Sequence, residues 1–295
     1  MSKLKIAVLY GGTSNERPVS INSAKSIISN LNRSKYEVLP YDFPKDLNRF
    51  LLNYKKIDVA FPVFHGKGGE DGTIQGFLET LGVKFVFSGI FSQAVGMNKR
   101  ATKILFQSAG IKVPDEYTLK NIKFPLVIKP NDSGSSFGVY IIISKKEFNQ
   151  FYPKVKKEFK DVILEQYIPG REFTASVIGN ENPRALPVIE IIPKNKFFDY
   201  ESKYSEGGAQ EICPAKIDKA LTKKIQDIGV LAHKTLNCRG LSRTDMIVAD
   251  DGQIYSMEIN TIPGQTKTSL VPKAAQSAGY TYPQFLDQLI ELALE

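Results

Sequence analysis

The chain has no tryptophan and only two cysteines and two histidines among its 295 residues. Cys213 and Cys238 are isolated, with no Cys-x-x-Cys, so neither a zinc site nor a disulfide scaffold is supported. No Arg/aromatic run of the kind that stacks on bases is present, and there is no internal repeat or low-complexity segment. No stretch approaches the ~20 apolar residues of a membrane span. Met1-Ser2-Lys3-Leu4-Lys5 leads into a short strand, not an apolar signal segment. Two nucleotide fingerprints are also missing. Gly11-Gly12-Thr13-Ser14-Asn15 is not Gly-x-Gly-x-x-Gly, and neither N-terminal Gly-rich loop carries the Lys-Ser/Thr of a P-loop. These absences lead to the expectation of a cytoplasmic enzyme that binds neither membrane nor nucleic acid.

Apolar content of 42% and charged content of 24% are ordinary for a globular chain and exclude disorder. The length predicts a large core and two or three structural units. Lys and Arg number 39 against 31 Asp and Glu, a net charge of +8, with a pI near 9.2. Such a balance suits nucleic acid, an anionic membrane or a phosphorylated substrate. The basic residues are scattered, however. Lys145-Lys146, Lys154 to Lys157 and Lys223-Lys224 fall where helix surfaces are expected and read as solvated faces.

Along the first third, short apolar runs alternate with helical stretches. Ile6 to Tyr10, Tyr36 to Tyr41, Ile57 to Phe64 and Val83 to Phe87 read as strands. Val19 or Ser20 to Leu31, Leu47 to Tyr54 and Thr73 to Leu81 read as helices between them. This alternation predicts an α/β class, in which loops beyond the strands' carboxyl ends bind ligands. The loops in question are Gly11 to Pro18 and His65-Gly66-Lys67-Gly68-Gly69-Glu70-Asp71-Gly72. Ser88 to Ala109 is expected to be helical in two pieces broken near Gly96, with Gly110 as the stop. Strand and loops over Ile111 to Phe124 lead to a second unit.

In that unit Leu126 to Lys129 and Val139 to Ile143 are strands joined by a Gly/Ser loop, Pro130 to Gly138. Backbone N–H groups and hydroxyls of such a loop can fold over phosphates, with Lys129 at its base as a fixed positive charge. A plain hairpin is the other reading. A helix over Lys145 to Phe159 and strands over Val162 to Glu165 and Glu172 to Ile178 follow. Lys194 to Gln210, long, polar and aromatic, reads as a lid. Ile217, Leu221, Ile225, Ile228, Leu231, Ala232 and Leu236 line one helix face; His233 on that helix reads as structural. Phe285, Leu286, Leu289, Ile290 and Ala293 mark a closing amphipathic helix.

The most informative stretch is Arg243 to Asn260. Asp251-Gly252 between alternating apolar residues is a hairpin signal. With Asp251-Gly252 as a two-residue turn, Asp250 lies opposite Gln253, Asp245 opposite Glu258 and Arg243 opposite Asn260. Asp245, Glu258, Arg243 and Asn260 share one face. Thr244, Met246, Val248, Tyr255, Met257 and Ile259 take the other, a core face. Two carboxylates opposite each other, with Cβ atoms roughly 5 Å apart, need a cation between them. Asp, Glu and Asn oxygens suit Mg²⁺; a solvated charged face is the alternative.

Taken in order, these loops resemble D-alanine–D-alanine ligase of the ATP-grasp superfamily. The carriers are Gly11 to Ser20, His65 to Gly72, Lys129-Pro130 with Gly134 to Gly138, Lys203-Tyr204, Arg243 with Asp245, and Glu258-Ile259-Asn260-Thr261-Ile262-Pro263-Gly264. The resemblance implies an α/β (α+β overall) chain: an N-terminal Rossmann-like parallel-sheet domain that binds substrate (1–87), followed by a two-lobed ATP-grasp fold. The central lobe (88–166) carries the phosphate flap and the C-terminal lobe (167–295) the metal site and lid. It implies ATP as co-substrate, two Mg²⁺ (or Mn²⁺), D-alanine as substrate and a homodimer.

The residue roles it implies are these. Lys99, Lys129 and Lys203 contact phosphates, and Ser135, Ser136 and Gly138 belong to the flap. Glu165, Gln166 and Ile168 hold adenine and Glu172 the ribose. Asp245, Glu258 and Asn260 hold the metals. Arg243 and Gly264 stabilise an oxyanion. Glu16 and His65 bind the first D-alanine, and Ser269 and Leu270 the carboxylate of the second. Glu16, Ser135 and Tyr204 order the lid and help deprotonate the incoming amine. Pro18, and Gln265-Thr266-Lys267-Thr268 before Ser269, depart from the family pattern.

Overall fold

A computed structural model describes residues 3–134, 137–193 and 209–295. The chain begins with a parallel sheet in the order β2-β1-β3: β1 (Leu4–Gly11) lies between β2 (Tyr36–Phe43) and β3 (Val59–Pro62). Ile6 and Val8 of β1 enter one buried cluster and Ala7 and Leu9 another. Burial on both faces is why β1 reads as a continuous apolar run without alternation. Helices α1 (Arg17–Asn30), α2 (Leu47–Asn53) and α3 (Thr73–Thr80) follow the expected order. The strand expected at Val83 to Phe87 shrinks to a single parallel bridge between Ala60 and Phe85. Phe87 takes φ 78°, which ends the extended path after two backbone hydrogen bonds to Ala60.

Helices α4 (Ile90–Met97) and α5 (Lys99–Ser108) meet at Asn98, two residues beyond the expected break. The Asn98 side chain accepts from the Ala101 N–H and so caps α5. Gly96 stays inside α4, where a Cβ would come within 3.3 Å of Thr261 Cγ2. Its smallness therefore serves packing against the turn that follows the hairpin, not helix breaking.

A second, antiparallel sheet has the order β5-β4-β6, from β4 (Leu126–Pro130), β5 (Tyr140–Ile142) and β6 (Val162–Gln166), with α6 (Lys145–Glu158) against it. Within the Ile111 to Phe124 stretch the only β pairing among the described residues is a bridge from Glu116 to Glu165. The third sheet runs β10-β9-β7-β11-β12, with β8 (Arg184–Ala185) beside β7 (Gly170–Ile178). Its other members are β9 (Ile189–Pro193), β10 (Ala209–Ile212), β11 (Leu241–Ala249) and β12 (Ile254–Asn260).

Helix α7 (Lys219–Thr235) packs on this sheet through Ile225, Gly229 and Ala232, and Leu236 just beyond its end is also buried. Leu231, expected on the same face, is 40% exposed because it falls off that i, i+4, i+7 stripe. After α8 (Leu270–Ser277), helix α9 (Tyr282–Leu294) brings Phe285, Leu286, Leu289 and Ile290 into one buried cluster with Ile6 and Val8. The end of the chain thus completes the core of the first sheet. Both cysteines are free. The expected lid lies outside the described residues except for Ala209 and Gln210, which belong to β10.

The hairpin of β11 and β12 departs from expectation in an instructive way. Val248 pairs with Ile254, Ile247 with Tyr255 and Met246 with Ser256, one residue away from the expected register. The loop holds three residues, Asp250 to Gly252, with Gly252 at φ 79° and its N–H bonded to the Ala249 carbonyl. A three-residue loop with a left-handed glycine is the next most favoured hairpin connection after the two-residue turn. A β-bulge between Asp245 and Met246 on one strand, opposite Met257 on the other, then shifts the ladder back. Beyond it Asp245 lies opposite Glu258, Thr244 opposite Ile259 and Arg243 opposite Asn260, as expected. Near the loop β11 keeps its expected core face, with Met246 buried and Val248 packed beside it, and only β12 is reversed. Ile254 and Ser256 are buried, while Tyr255 and Met257, expected in the core, are half-buried.

Candidate active site

The floor of the site is the restored part of that hairpin. Arg243 and Asp245, two residues apart on one face of β11, form a bidentate ion pair: Nε to Oδ1 at 2.9 Å and Nη2 to Oδ2 at 2.7 Å. Both side chains are largely buried. Across the ladder, Glu258 Oε2 lies 3.7 Å from Lys99 Nζ. Each of the two facing carboxylates therefore has its own cation, which answers the repulsion expected from their register. Asn260 Oδ1 accepts from the Ile262 N–H at 3.1 Å and shapes the turn into Pro263-Gly264. Among the described residues no group of three or more His, Cys, Asp and Glu gathers at one point. The donor set is two carboxylates and one amide, all hard oxygen ligands, which fits a divalent cation completing its shell with water and phosphate oxygens.

Lys99, the first residue of α5, ties this floor to the Gly/Ser loop. Its Nζ donates to the Ser133 carbonyl at 2.6 Å. Asn131 anchors the start of the loop: its side chain accepts from the Arg100 N–H and donates to Asn98 and Asp161. At the far end Gly138 has φ 77°, and a Cβ there would lie 2.7 Å from the Phe159 ring and 2.9 Å from Pro130 Cγ. Only glycine satisfies both the conformation and the contact.

One turn along α5 from Lys99, Lys103 reaches the same interior. Its Nζ donates to Glu165 Oε2 at 2.6 Å, while Lys129 Nζ lies 2.5 Å from Oε1. Lys129 and Glu165 are diagonal neighbours on one face of β4 and β6. Glu165 is fully buried and each lysine is 5% exposed. Burial by itself would raise the Glu165 carboxyl pKa, but Lys129 and Lys103 outweigh it and hold the group below its ordinary value.

The N-terminal loops form the opposite wall. Glu16 sits at the N-cap of α1, and its carboxylate oxygens lie within 3.8 Å of where a Gly134 Cβ would be. The Ser14 hydroxyl donates to the His65 carbonyl at 2.6 Å. His65 is buried, with Nε2 3.4 Å from Ser23 Oγ and Nδ1 3.8 Å from Glu70 Oε1. Glu70 and Asp71 accept the Gly66 and Gly68 N–H groups, holding the loop shut around left-handed glycines. Past the hairpin, Ser269 stands at the N-cap position of α8 with its side chain turned back to the preceding turn: its Oγ accepts from the Thr266 N–H and lies 2.7 Å from Thr266 Oγ1. A Cβ on Gly264 would come within 3.0 Å of that oxygen. Leu270 opens α8, half-buried.

The structure thus joins Lys99 with Glu258, Lys129 with Glu165, Arg243 with Asp245, and Glu16 with the Gly66 and Gly134 backbones. Gln166 ends β6, Ile168 is buried just beyond it, and Glu172 lies on β7 opposite Ile247. Ser135, Ser136, Lys203 and Tyr204 lie outside the described residues. Sequence reasoning missed Lys103 and the Ser133 carbonyl. A signal for the first was present: Lys99, Thr102, Lys103 and Phe106 follow the i, i+3, i+4, i+7 spacing of a buried helix face.

Comparison with known proteins bears on the whole chain. The family model for the D-ala D-ala ligase C-terminus matches residues 91–291, and that for the N-terminus matches 5–55 and 46–88. The D-alanine–D-alanine ligase of Desulfotalea psychrophila is 42% identical, the match covering 99% of this chain and 96% of that protein. Its namesake from Syntrophobacter fumaroxidans is 43% identical, covering 99% and 98%. Among solved structures, the D-alanine–D-alanine ligase of Bacillus anthracis complexed with ATP has a TM-score of 0.85 at 34% identity, covering 99% of this chain and 97% of that one. A D-Ala:D-Ser ligase from Enterococcus faecalis also has a TM-score of 0.85, at 32% identity with coverage of 99% and 100%. On the strength of these full-length matches, the chain belongs to the D-alanine–D-alanine ligase family and has its fold, a parallel-sheet N-terminal part followed by a two-lobed ATP-grasp arrangement.

Proposed function

We propose that residues from all three sheets form one site for making D-alanyl-D-alanine through a D-alanyl phosphate. The chain is an ATP-dependent, ADP-forming ligase serving peptidoglycan synthesis. The observation that carries the site assignment is Lys99, which bridges the Ser133 carbonyl in the Gly/Ser loop and Glu258 on the hairpin. One ammonium thus links the phosphate flap to the acidic floor.

A carboxylate is a poor electrophile, so the first D-alanine must receive the ATP γ-phosphoryl group. In our reading Glu16 pairs with its ammonium, and His65, supported by Ser23 and Glu70, lines its pocket. Lys99, Lys129 and Lys203 contact the phosphates, and Ser135, Ser136 and Gly138 belong to the flap. Glu165, Gln166 and Ile168 seat adenine, and Glu172 the ribose. Asp245, Glu258 and Asn260 would hold two Mg²⁺ or Mn²⁺, which neutralise charge on the transferring group. The amine of the second D-alanine, its carboxylate gripped at Ser269 and Leu270, then attacks the acyl phosphate. Arg243 and the Gly264 N–H stabilise the resulting oxyanion, a donor pair worth a few kcal/mol. Tyr204, with Glu16 and Ser135, closes the lid and helps take the amine proton. We assign substrate binding to 1–87, the phosphate lobe to 88–166 and the metal lobe to 167–295. The buried cluster shared by Ile6, Val8 and Phe285 locks the first and last of these together. We also assign a cytoplasmic homodimer, testable by light scattering.

The deciding experiment measures phosphate release from ATP with D-alanine alone, and with D-serine, D-lactate or L-alanine as the second substrate. D-Alanine alone should support turnover. A chain that turns over only when D-serine is added would be a D-Ala:D-Ser ligase, and indifference to D-alanine would refute the assignment.

A further inference from the structure

Lys103 has no part in the chemistry just described, yet it is nearly as deeply buried as the carboxylate it binds. Lys103 and Lys129 share Glu165, one carboxylate oxygen each: Lys103 Nζ donates to Oε2 at 2.6 Å and Lys129 Nζ lies 2.5 Å from Oε1.

Counting charges shows what the third group does. Lys129 and Glu165 by themselves would form a neutral pair, and the field of that pair on an incoming phosphate would largely cancel. Two ammoniums around one carboxylate leave the cluster at +1. That charge stands in a dry interior where it is poorly screened. A buried like-charged pair is unfavourable without a reason of this kind, since an apolar trio of similar volume would be at least as stable.

We propose that Lys103 is a positioning residue that offsets the charge of Glu165, so that Lys129 presents a net positive field to the nucleotide phosphates while still paired with that carboxylate. This rests on the reading of Lys129 as a phosphate contact. It makes a charge-specific statement that a packing role for Lys103 does not make. Loss of Lys103 should weaken binding of the phosphates and leave the nucleoside alone. Removing the Glu165 charge as well should restore phosphate binding, because Lys129 is then unopposed.

The test is calorimetric titration of the full-length protein with ATP, ADP and adenosine for the wild type, Lys103→Met, Lys103→Arg and Lys103→Met/Glu165→Gln. Lys103→Met should weaken ATP and ADP about 10- to 50-fold, the effect of one unit charge in a poorly screened interior, and change adenosine less than about twofold. Lys103→Arg should stay near wild type. In the double variant the ratio of ATP affinity to adenosine affinity should recover to within about fivefold of wild type, which sets aside any part Glu165 has in holding adenine. Equal losses for ATP and adenosine in Lys103→Met, or a double variant whose ATP-to-adenosine ratio is no higher than that of Lys103→Met, would overturn the proposal. Lys103→Arg, which keeps the charge, keeps the test informative should a Met variant fail to fold: nucleoside binding lost with that variant's ATP binding would count against the proposal. Wild-type protein that binds adenosine as tightly as ATP would overturn the phosphate-site reading beneath it.

Discussion

Replacing Glu165 by glutamine is the sharpest stability test of the buried cluster. Glu165 is fully buried between two lysines that are each 5% exposed. The substitution keeps volume and shape but leaves two ammonium groups facing each other without a counter-charge. Breaking one partner of a buried ion pair typically costs about 3–5 kcal/mol, and here one carboxylate serves two cations, so the upper half of that range is expected. Against a total stability of roughly 5–15 kcal/mol for a domain, the central lobe should be close to unfolding. The assay is urea denaturation followed by circular dichroism, with limited proteolysis to locate the early-opening segment between Lys99 and Gln166. The apolar counterpart, Lys103→Met/Lys129→Met/Glu165→Leu, should be neutral or more stable by about 1–4 kcal/mol while losing ATP binding. The sign of the acid response follows from the depressed Glu165 pKa. Its contribution is complete above the unfolded carboxyl pKa, roughly 4.3, and fades as pH falls through the lower folded value. A glutamine variant within about 1 kcal/mol of wild type would refute this account.

Other outcomes follow from single residues. His233, 1% exposed and hydrogen-bonded through Nδ1 to Ser242 at 2.8 Å, has its pKa pushed down to about 4 by burial. It is neutral in the fold but protonates in the unfolded chain near pH 6.5, so stability should fall by about 3 kcal/mol as pH drops from 6.5 to 4. His233→Gln should flatten that part of a pH series of urea midpoints. Gly138→Ala forces a Cβ into Phe159 at φ 77°; a loss of about 1–3 kcal/mol and a raised KM for ATP are expected, read by steady-state kinetics. Glu258→Gln should abolish turnover, measured as phosphate release. Tyr204→Phe should weaken dipeptide formation or relax selection of the second substrate, measured by the D-serine and D-lactate arms of the substrate panel.

Where a sequence signal was local and strong, the fold followed it. The buried β1 run, the alternation around it and the apolar faces of α9 depend on nearest-neighbour patterning, which both burial and hydrogen bonding obey. The hairpin shows the limit. Asp251-Gly252 signalled a hairpin, but not whether two or three residues would form its loop, because both solutions place glycine in the left-handed region. The ladder took the three-residue loop and the opposing register, and the bulge at Asp245/Met246 returned Asp245 to Glu258. The pairing of Asp245 with Glu258 was thus reached through a count that was off by one near the loop and right at that pair.

What the sequence by itself determined is the set of chemical groups and their order: hard oxygen donors on one strand pair, a Gly/Ser loop between strands, two glycine-rich N-terminal loops and lysines at their edges. Those follow from residue type and short spacing. Which charges meet was decided by tertiary structure alone. Lys99 and Glu258 are separated by 159 positions of chain, and Lys103 and Glu165 by 62. No local pattern encodes such pairings, since they arise where α5 is set against two different sheets. The burial that makes Lys103, Lys129 and Glu165 one electrostatic unit is likewise a property of that packing. In an extended chain the same three residues would be screened by water and would not sense one another.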